Sequence, residues 1–200
     1  MQRRSFLAGA TAASALLSTN VLSGVSAAWA KAPALGPLLD QWTGPYGGIP
    51  RFDKIKTSKF KPAFTKAMNM LRAEIGAITS AKSAPTFDNT VVPFEDAGRP
   101  LNRVSNFFGI YTSTMNDKAM QALETEMSPV LAAFGDEIIQ NDALFQRLKA
   151  VYDARTSTGL SAEQQRLTDV YYTRFARQGA GLDKAKKERK PLTLDPSAGG

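Results

Sequence analysis

From Phe60 onward, the hydrophobic residues of the chain recur at intervals of three and four, the spacing of one face of an α-helix. The first stripe predicts a helix that is capped by Thr57 or Ser58 and has Pro62 in its first turn. Its apolar face consists of Phe60, Phe64, Ala67, Leu71, Ile75 and Ile78. No segment alternates apolar and polar residues with a period of two, so the pattern predicts no sheet.

A second stripe predicts one helix after a cap at residues 88–90, with a kink at its interior proline, Pro100. Its apolar face consists of Phe94, Ala97, Leu101, Val104, Phe108 and Tyr111. A third helix is predicted to begin at Asn116-Asp117 and to bend at Pro129. Its apolar positions are Met120, Leu123, Met127, Leu131, Phe134 and Ile138.

Two further stripes follow, the fourth capped by Asn141 or Asp142 and the fifth by a capping box of Ser161 and Gln164. Their apolar positions are Phe145, Leu148, Val151 and Tyr152 in the fourth, and Leu167, Val170, Tyr171 and Phe175 in the fifth. Residues 182–190 can resume as a charged helix. The predicted fold is all-α, an irregular bundle of about five to six helices over residues 57–190, followed by a disordered tail at 191–200.

An extended segment rich in glycine and proline is predicted at residues 31–56, ahead of the bundle. Its Gly-Pro-Tyr-Gly-Gly sequence has no following Gly-Lys-Ser/Thr and no preceding strand, so it is not a phosphate loop. We interpret the segment as a strap across the helices, with Trp42, Tyr46 and Phe52 as aromatic anchors.

Residues 1–30 have the features of an export signal. Arg3, Arg4, Phe6 and Leu7 match the twin-arginine pattern. Ala28 and Ala30 mark a cleavage site, after which the mature chain begins near Lys31. The apolar stretch is too diluted by polar residues and glycine to span a membrane. The expected location is the periplasm, reached by the twin-arginine route or, alternatively, by the ordinary secretory route.

The composition limits the kinds of catalytic and metal site that the chain can form. The chain carries a formal charge of +7 and contains no histidine and no cysteine. Zinc sites and activated serine or cysteine nucleophiles normally need one of these side chains. We therefore predict no catalytic residue and no metal ligand in this chain, and no substrate-binding residue can be named.

Other candidate groups favour structural interpretations. The acidic pairs Glu124/Glu126 and Asp136/Glu137 point to different sides of their helix, which predicts solvated surface rather than a two-carboxylate site. The basic run at residues 184–190 also predicts solvated surface, and neither nucleic acid nor, after signal cleavage, a membrane is an expected partner. The ring pairs Tyr171-Tyr172 and Phe107-Phe108 predict helix packing rather than a ligand pocket.

Four stretches together resemble one family. They are residues 38–64, 85–113, 116–155 and 171–189, and their most specific parts are Ile49-Pro50-Arg51-Phe52-Asp53, Thr-Phe-Asp-Asn-Thr at 86–90 and Phe-Ala-Arg-Gln-Gly-Ala-Gly-Leu at 175–182. In this order they resemble the amino-terminal part of the thimet-oligopeptidase-like zinc metallopeptidases, in the branch of bacterial peptidyl-dipeptidases and oligopeptidase A.

The resemblance implies an almost wholly helical fold whose halves enclose a deep channel, with peptides as substrates and zinc as cofactor. The zinc site of that family, His-Glu-x-x-His on a helix with a further glutamate, lies in the carboxyl-terminal half. This chain has no histidine onto which such a ligand can be carried.

We therefore expect an exported amino-terminal domain that walls the substrate channel of a peptidyl-dipeptidase-like enzyme. The chain is expected to stop before the zinc motif, as a truncated or interrupted product that is inactive alone. Whether a separate partner supplies the catalytic half is left open. The alternative is a non-catalytic exported helical module that binds peptides or a partner polypeptide.

Overall fold

The computed structural model describes residues 36–45 and 48–182, and this part contains six α-helices and no strand. The helices are α1 (Phe60–Thr79), α2 (Val92–Asp96), α3 (Arg99–Thr114), α4 (Lys118–Ile139), α5 (Asp142–Ala154) and α6 (Ala162–Arg177). The predicted all-α class is confirmed. Within the same residues, no helix is both long and apolar enough to cross a membrane.

Helix α1 buries the predicted stripe, since Phe60, Phe64 and Ala67 have no exposed surface and Leu71 is half-buried. The predicted cap is wrong, however. Thr57 opens a 3₁₀ turn (Thr57–Lys59), and Lys59 occupies the N-cap position without a side-chain hydrogen bond. The 3₁₀ turn leads directly into α1, so the chain enters the helix without a capping side chain.

The predicted second helix is two helices, and the prediction of one helix kinked at Pro100 is wrong. Gly98 adopts a left-handed conformation (φ +76°) between α2 and α3, and Pro100 lies in the first turn of α3. A proline is tolerated in the first turn of a helix, because the N–H that it lacks has no intrahelical acceptor there. The proline therefore begins a helix rather than bending one.

The approach to α2 also differs from the prediction of a cap at residues 88–90. Thr86 caps a π-helical turn (Phe87–Val91) that continues into α2. The Thr86 hydroxyl accepts from the Asn89 N–H at 3.2 Å, and Asn89 Oδ1 accepts from the Thr86 N–H at 2.8 Å. Asn89 is thus the reciprocal member of a capping box rather than the cap itself.

The remaining caps lie where the sequence predicts them. Asp117, Asn141 and Ser161 each accept a backbone N–H three residues further on, and Gln164 completes the capping box with Ser161. Helix α4 runs without interruption through Pro129. The predicted burial of Val170 is wrong, because this residue is 51% exposed and Thr168, two residues earlier, is buried instead.

Helices α1 and α3 pack antiparallel. Near the start of α1, the Phe60 ring centroid lies 5.4 Å from that of Phe108 and 5.3 Å from that of Tyr111. Near the end of α1, Glu74 contacts Gly98, which immediately precedes α3. The start of α1 therefore lies beside the end of α3, and the end of α1 lies beside the start of α3.

Helix α4 instead runs parallel to α1. Lys61 pairs with Glu126, and Arg72 pairs with Glu137, so both pairs join residues 65 apart in sequence. A constant offset means that the two helices rise in the same direction. Helix α3 returns the chain between them.

A second part of the core joins α5 and α6 to the end of α1 and the π-helical turn. Its buried members are Ile75, Ile78, Phe87, Val91, Ile139, Leu144, Phe145, Leu148, Val151, Phe175 and Ala180. Predicted stripe positions from α1, α5 and α6 therefore meet in one cluster.

The described part of the predicted strap, residues 36–45 and 48–56, packs on α3. Leu38 and Leu39 are buried, and the Leu39 carbonyl accepts from Arg103 Nε at 3.0 Å. The ring centroids of Trp42 and Phe52 lie 5.8 Å and 5.2 Å from that of Phe107. The third predicted anchor, Tyr46, lies outside the described residues, as do 1–35 and 183–200.

Candidate functional site

An open groove along the outer face of α1 is the candidate binding surface of the described residues. It has a volume of about 740 Å³ and is lined by Lys61, Pro62, Thr65, Lys66, Asn69, Met70 and Ala73. These positions form one strip along the helix, because they recur every three to four residues. Both charged residues of the lining are lysines.

The chemistry of this lining suits binding rather than bond cleavage. Met70, Ala73 and Pro62 offer apolar surface, and the Thr65 hydroxyl donates to the Lys61 carbonyl at 3.1 Å. The lining contains no carboxylate or imidazole that could act as a general base on a nucleophile. The groove could therefore hold a short segment of peptide, whereas hydrolysis would need groups from elsewhere.

Ion pairs with α4 flank the groove at both ends. Lys61 binds Glu126 at one end, and at the other Arg72 donates to both carboxylate oxygens of Glu137, at 2.7 and 2.6 Å. The Arg72 guanidinium also lies 4.8 Å from the centroid of the Phe134 ring. The hydrogen bonds from Arg72 hold the pKa of Glu137 below the ordinary value of a glutamate.

The prediction that the two acidic pairs are solvated surface rather than a two-carboxylate site fits the structure, which adds an ion pair to one member of each. Glu126 and Glu137 remain exposed, but each joins α4 to α1 through a cation. Within each predicted pair, the residue that contacts α1 is the second one. The two carboxylates of a pair do not converge on a shared site.

A half-buried carboxylate lies at the junction of α1, α2 and α3. Glu74 Oε2 accepts from the Gly98 N–H at 2.7 Å. Burial raises the pKa of Glu74, and the nearby carboxylate of Asp96 raises it further, against the opposing effect of the hydrogen bond from Gly98.

A buried cation lies just beyond the carboxyl-terminal end of α1. Arg147 of α5 is 8% exposed and donates to the carbonyls of Ala81 and Ser83, at 3.1 and 3.2 Å, and to Asn89 Oδ1 at 3.0 Å. These acceptors lie in the segment that connects α1 to the π-helical turn. Arg147 therefore fixes this connection to α5.

Glu74 and Arg147 were missed by sequence reasoning, although the sequence contains a signal for both. Glu74 lies between Leu71 and Ile75, and Arg147 lies between Leu144 and Leu148, so each charge interrupts an apolar stripe. A charged residue on a buried helix face needs a hydrogen-bond partner. The spacing does not say which partner it finds.

The predicted packing roles of the paired rings fit the structure. Phe108 packs on Phe64 of α1 with ring centroids 5.2 Å apart, whereas its neighbour Phe107 lies beneath the strap. Tyr171 contacts Phe94 at 4.9 Å, and Tyr172 stacks on Tyr152 at 3.9 Å. The two rings of each pair thus pack against different partners.

The described residues do not fit a zinc ion, because no group of three or more Asp, Glu, His or Cys side chains lies close enough together to hold a metal. The predicted signal residues Arg3, Arg4, Phe6, Leu7, Ala28 and Ala30 lie outside the described part, as does the basic run at 184–190.

Comparison with known proteins gives three relatives of the chain. It is 41% identical over 162 residues to dipeptidyl carboxypeptidase of Salmonella typhimurium and 37% identical over 155 residues to dipeptidyl carboxypeptidase of Escherichia coli. It is 23% identical over 141 residues to oligopeptidase A of Escherichia coli. No protein-family model matches the chain.

The matches cover most of this chain but only a small part of each relative. They cover 81%, 78% and 70% of this chain, but 24%, 23% and 21% of the respective relatives. The chain thus spans about a quarter of the length of the relatives that it matches. The resemblance predicted from the sequence is confirmed.

Proposed function

We propose, from the relationship of this chain to dipeptidyl carboxypeptidases and oligopeptidase A, that it forms the amino-terminal helical domain of an exported zinc peptidase of this kind. In this proposal the helices wall the channel in which short peptides bind, and the chain alone does not hydrolyse them. The identity of 41% over 162 residues carries the proposal. The absence of histidine from the sequence supports the lack of independent activity.

Hydrolysis by the isolated chain is the direct test. The purified chain, supplied with zinc, is incubated with short peptides whose cleavage is followed by mass spectrometry, beside a dipeptidyl carboxypeptidase as positive control. We expect no released dipeptide above the rate without protein. Turnover that a chelator abolishes would overturn the proposal that catalysis needs residues from another part of a longer protein.

The proposed domain role has a separate test in a chimera. The 162 matched residues of the Salmonella enzyme are replaced by their counterparts from this chain. We expect the chimera to retain peptidase activity, with any change concentrated in KM if the segment lines the substrate channel. A folded chimera with no activity would contradict the proposed equivalence of the two segments.

The groove on α1 is the surface through which this domain could contact peptides. Met70→Glu would place a charge in its apolar lining without touching the ion pairs of Lys61 or Arg72. In the chimera, we expect this substitution to raise KM, with Val130→Glu on the exposed surface of α4 as the matched control. Equal KM values for both variants would exclude the groove from substrate binding.

The alternative function, a non-catalytic exported module, predicts a different state in solution. A domain that normally packs against the rest of a longer peptidase exposes an apolar face when isolated, whereas a self-contained module does not. Self-association and binding of an apolar fluorescent dye distinguish the two. A monomeric chain that binds peptide but no dye would favour the module.

Export through the twin-arginine route is part of the proposal and rests on Arg3, Arg4, Phe6 and Leu7. Replacement of both arginines by lysine should retain the chain in the cytoplasm, whereas the unaltered chain is recovered from the periplasm and begins near Lys31. Unchanged export of the double variant would show that the twin-arginine pair is not required.

A further inference from the structure

The start of α3 lacks a capping side chain of its own. Its N-cap residue is Gly98, which has no side chain to accept a hydrogen bond from the first turn. The Glu74 carboxylate reaches this position from α1 and accepts the Gly98 N–H at 2.7 Å. A negative charge at the amino terminus of a helix also interacts favourably with the helix dipole.

A second residue of α1, Leu71, also contacts the region around Gly98. Leu71 lies one turn before Glu74, and its Cδ2 atom is 3.4 Å from the position that a Cβ at Gly98 would occupy. Leu71 therefore fills the space beside Gly98, while Glu74 occupies the hydrogen-bonding position. Together these two residues of α1 fix the point where α2 ends and α3 begins.

Glu74 has a negatively charged neighbour at this junction, while the nearby arginines are paired with other carboxylates. Asp96, two residues before Gly98, raises the energy of a charged Glu74, while Arg99 at the start of α3 is engaged with Asp96. Arg72 of α1 is engaged with Glu137 of α4 on another face of the helix. None of the ion pairs in the described residues gives Glu74 a cation.

The charges on the other neighbouring elements have different partners. Arg147 of α5 donates to the connection after α1, and Glu95 of α2 accepts from the Tyr171 hydroxyl of α6. Arg103, one turn after Arg99, donates to the strap at Leu39. Asp96 is therefore the charged neighbour that opposes ionisation of Glu74.

We propose that Glu74 is a cap supplied to α3 from α1, and that its protonation makes the junction of α1, α2 and α3 responsive to pH. Burial and Asp96 disfavour the charged carboxylate, whereas the Gly98 N–H and the helix dipole favour it. The raised pKa means that burial and repulsion outweigh the hydrogen bond.

The sign of the effect on stability follows from this direction. A carboxyl group whose pKa is raised in the folded state binds its proton more tightly there than in the unfolded chain. Its contribution to stability is fully present below the ordinary value of 4.5 and is lost as pH rises through the folded-state pKa. The domain therefore gains stability from Glu74 on mild acidification.

The test is a pH titration of the full chain by nuclear magnetic resonance, with the Gly98 amide as probe. In the unaltered chain we expect the Gly98 shift to titrate with a midpoint above 4.5, the ordinary glutamate value. Glu74→Gln keeps an acceptor oxygen but cannot ionise, so the titration step with a midpoint above 4.5 should disappear at Gly98 while the remaining spectrum is retained. Glu124→Gln, on the exposed face of α4, is the matched control and should leave the midpoint unchanged.

Asp96→Asn provides a second variant that preserves Glu74 itself. Because it removes the repelling charge, the midpoint at Gly98 should fall toward 4.5. The proposal is overturned by a Gly98 amide that does not titrate in the unaltered chain, by a midpoint at or below 4.5, or by a titration step above 4.5 that survives in Glu74→Gln. An unchanged midpoint in Asp96→Asn would overturn the assigned role of Asp96.

Discussion

Gly98 has a left-handed backbone conformation that is unfavourable for residues other than glycine, and it also packs against Leu71 of α1. Its φ is +76°, and a Cβ at this position would lie 3.4 Å from Leu71 Cδ2. The first property imposes a backbone penalty on any other residue, and the second requires Leu71 to shift. The break between α2 and α3 thus depends on one position that only glycine fits without strain.

Gly98→Ala should therefore lower the free energy of unfolding by about 1–3 kcal/mol, the usual cost of a left-handed conformation outside glycine. Gly109→Ala is the matched control, since Gly109 lies within α3 and no atom lies within 4 Å of the added Cβ. There we expect a gain of about 0.5–1 kcal/mol from the higher helix propensity of alanine. Chemical denaturation monitored by circular dichroism measures both, and a stabilising Gly98→Ala would contradict the structure at this junction.

At the scale of the elements, helix α4 is attached to α1 by a narrow apolar contact and by ion pairs. Of the 22 residues of α4, only Met120, Met127, Phe134 and Ile139 are buried. This narrow apolar seam is supplemented by the ion pairs of Lys61 and Arg72 with α4. Charged contacts therefore contribute to the attachment of α4 more than they do at the aromatic α1–α3 interface.

Arg72→Ala should lower the free energy of unfolding by about 1 kcal/mol, because a partly exposed ion pair and a cation–π contact are each worth at most about that much. The loss should shrink at high salt. Since the pKa of Glu137 is lowered, the contribution of the pair is present above the ordinary value of 4.5 and is lost as pH falls through the folded-state pKa.

Thermal unfolding at two salt concentrations and at two pH values measures this dependence. Lys149→Ala removes an ion pair with Asp153 that lies within α5, so it serves as a control without an interhelical contact. If Arg72→Ala costs as much in acid as at neutral pH, the ion pair is not the source of its effect.

The elements themselves were predictable from the sequence to the extent that local rules determine them. The caps Asp117 and Ser161 and the buried stripe of α1 follow from residue type and spacing. The division at Gly98 was not predicted, because the apolar stripe continues across it and Pro100 is compatible with either a kink or a helix start. Contacts with α1 decide between these two outcomes.

At the scale of the whole molecule, the strap and the helices form joint contacts around Phe107. Trp42 and Phe52 contact its ring, while the buried Leu38 and Leu39 and the Arg103 hydrogen bond tie the beginning of the described chain to α3. Aromatic residues in the strap predicted anchoring, but the sequence did not indicate which helix receives them. Neither did it predict the α1–α4 ion pairs, because helical spacing does not specify neighbours that are 65 residues apart.

The strap and the bundle should therefore unfold together. The sequence contains two tryptophans, Trp29 and Trp42, so Trp29→Phe leaves the Trp42 fluorescence as a local probe of the strap. We expect its thermal transition to coincide with that of the helices in circular dichroism, as in a two-state domain. The control Trp29→Phe/Trp42→Phe assigns the signal, and an earlier fluorescence transition would show that the strap detaches first.

The parallel course of α1 and α4 has a consequence for the order of events in folding. Their contacts join residues 65 apart and can close only after α3 has brought the chain back, so they form at a high cost in loop-closure entropy. If α4 docks after the rate-limiting step, the loss of the Arg72 ion pair will hasten unfolding and leave the refolding rate unchanged. The long helix would then govern the lifetime of the native state rather than the speed with which it is reached.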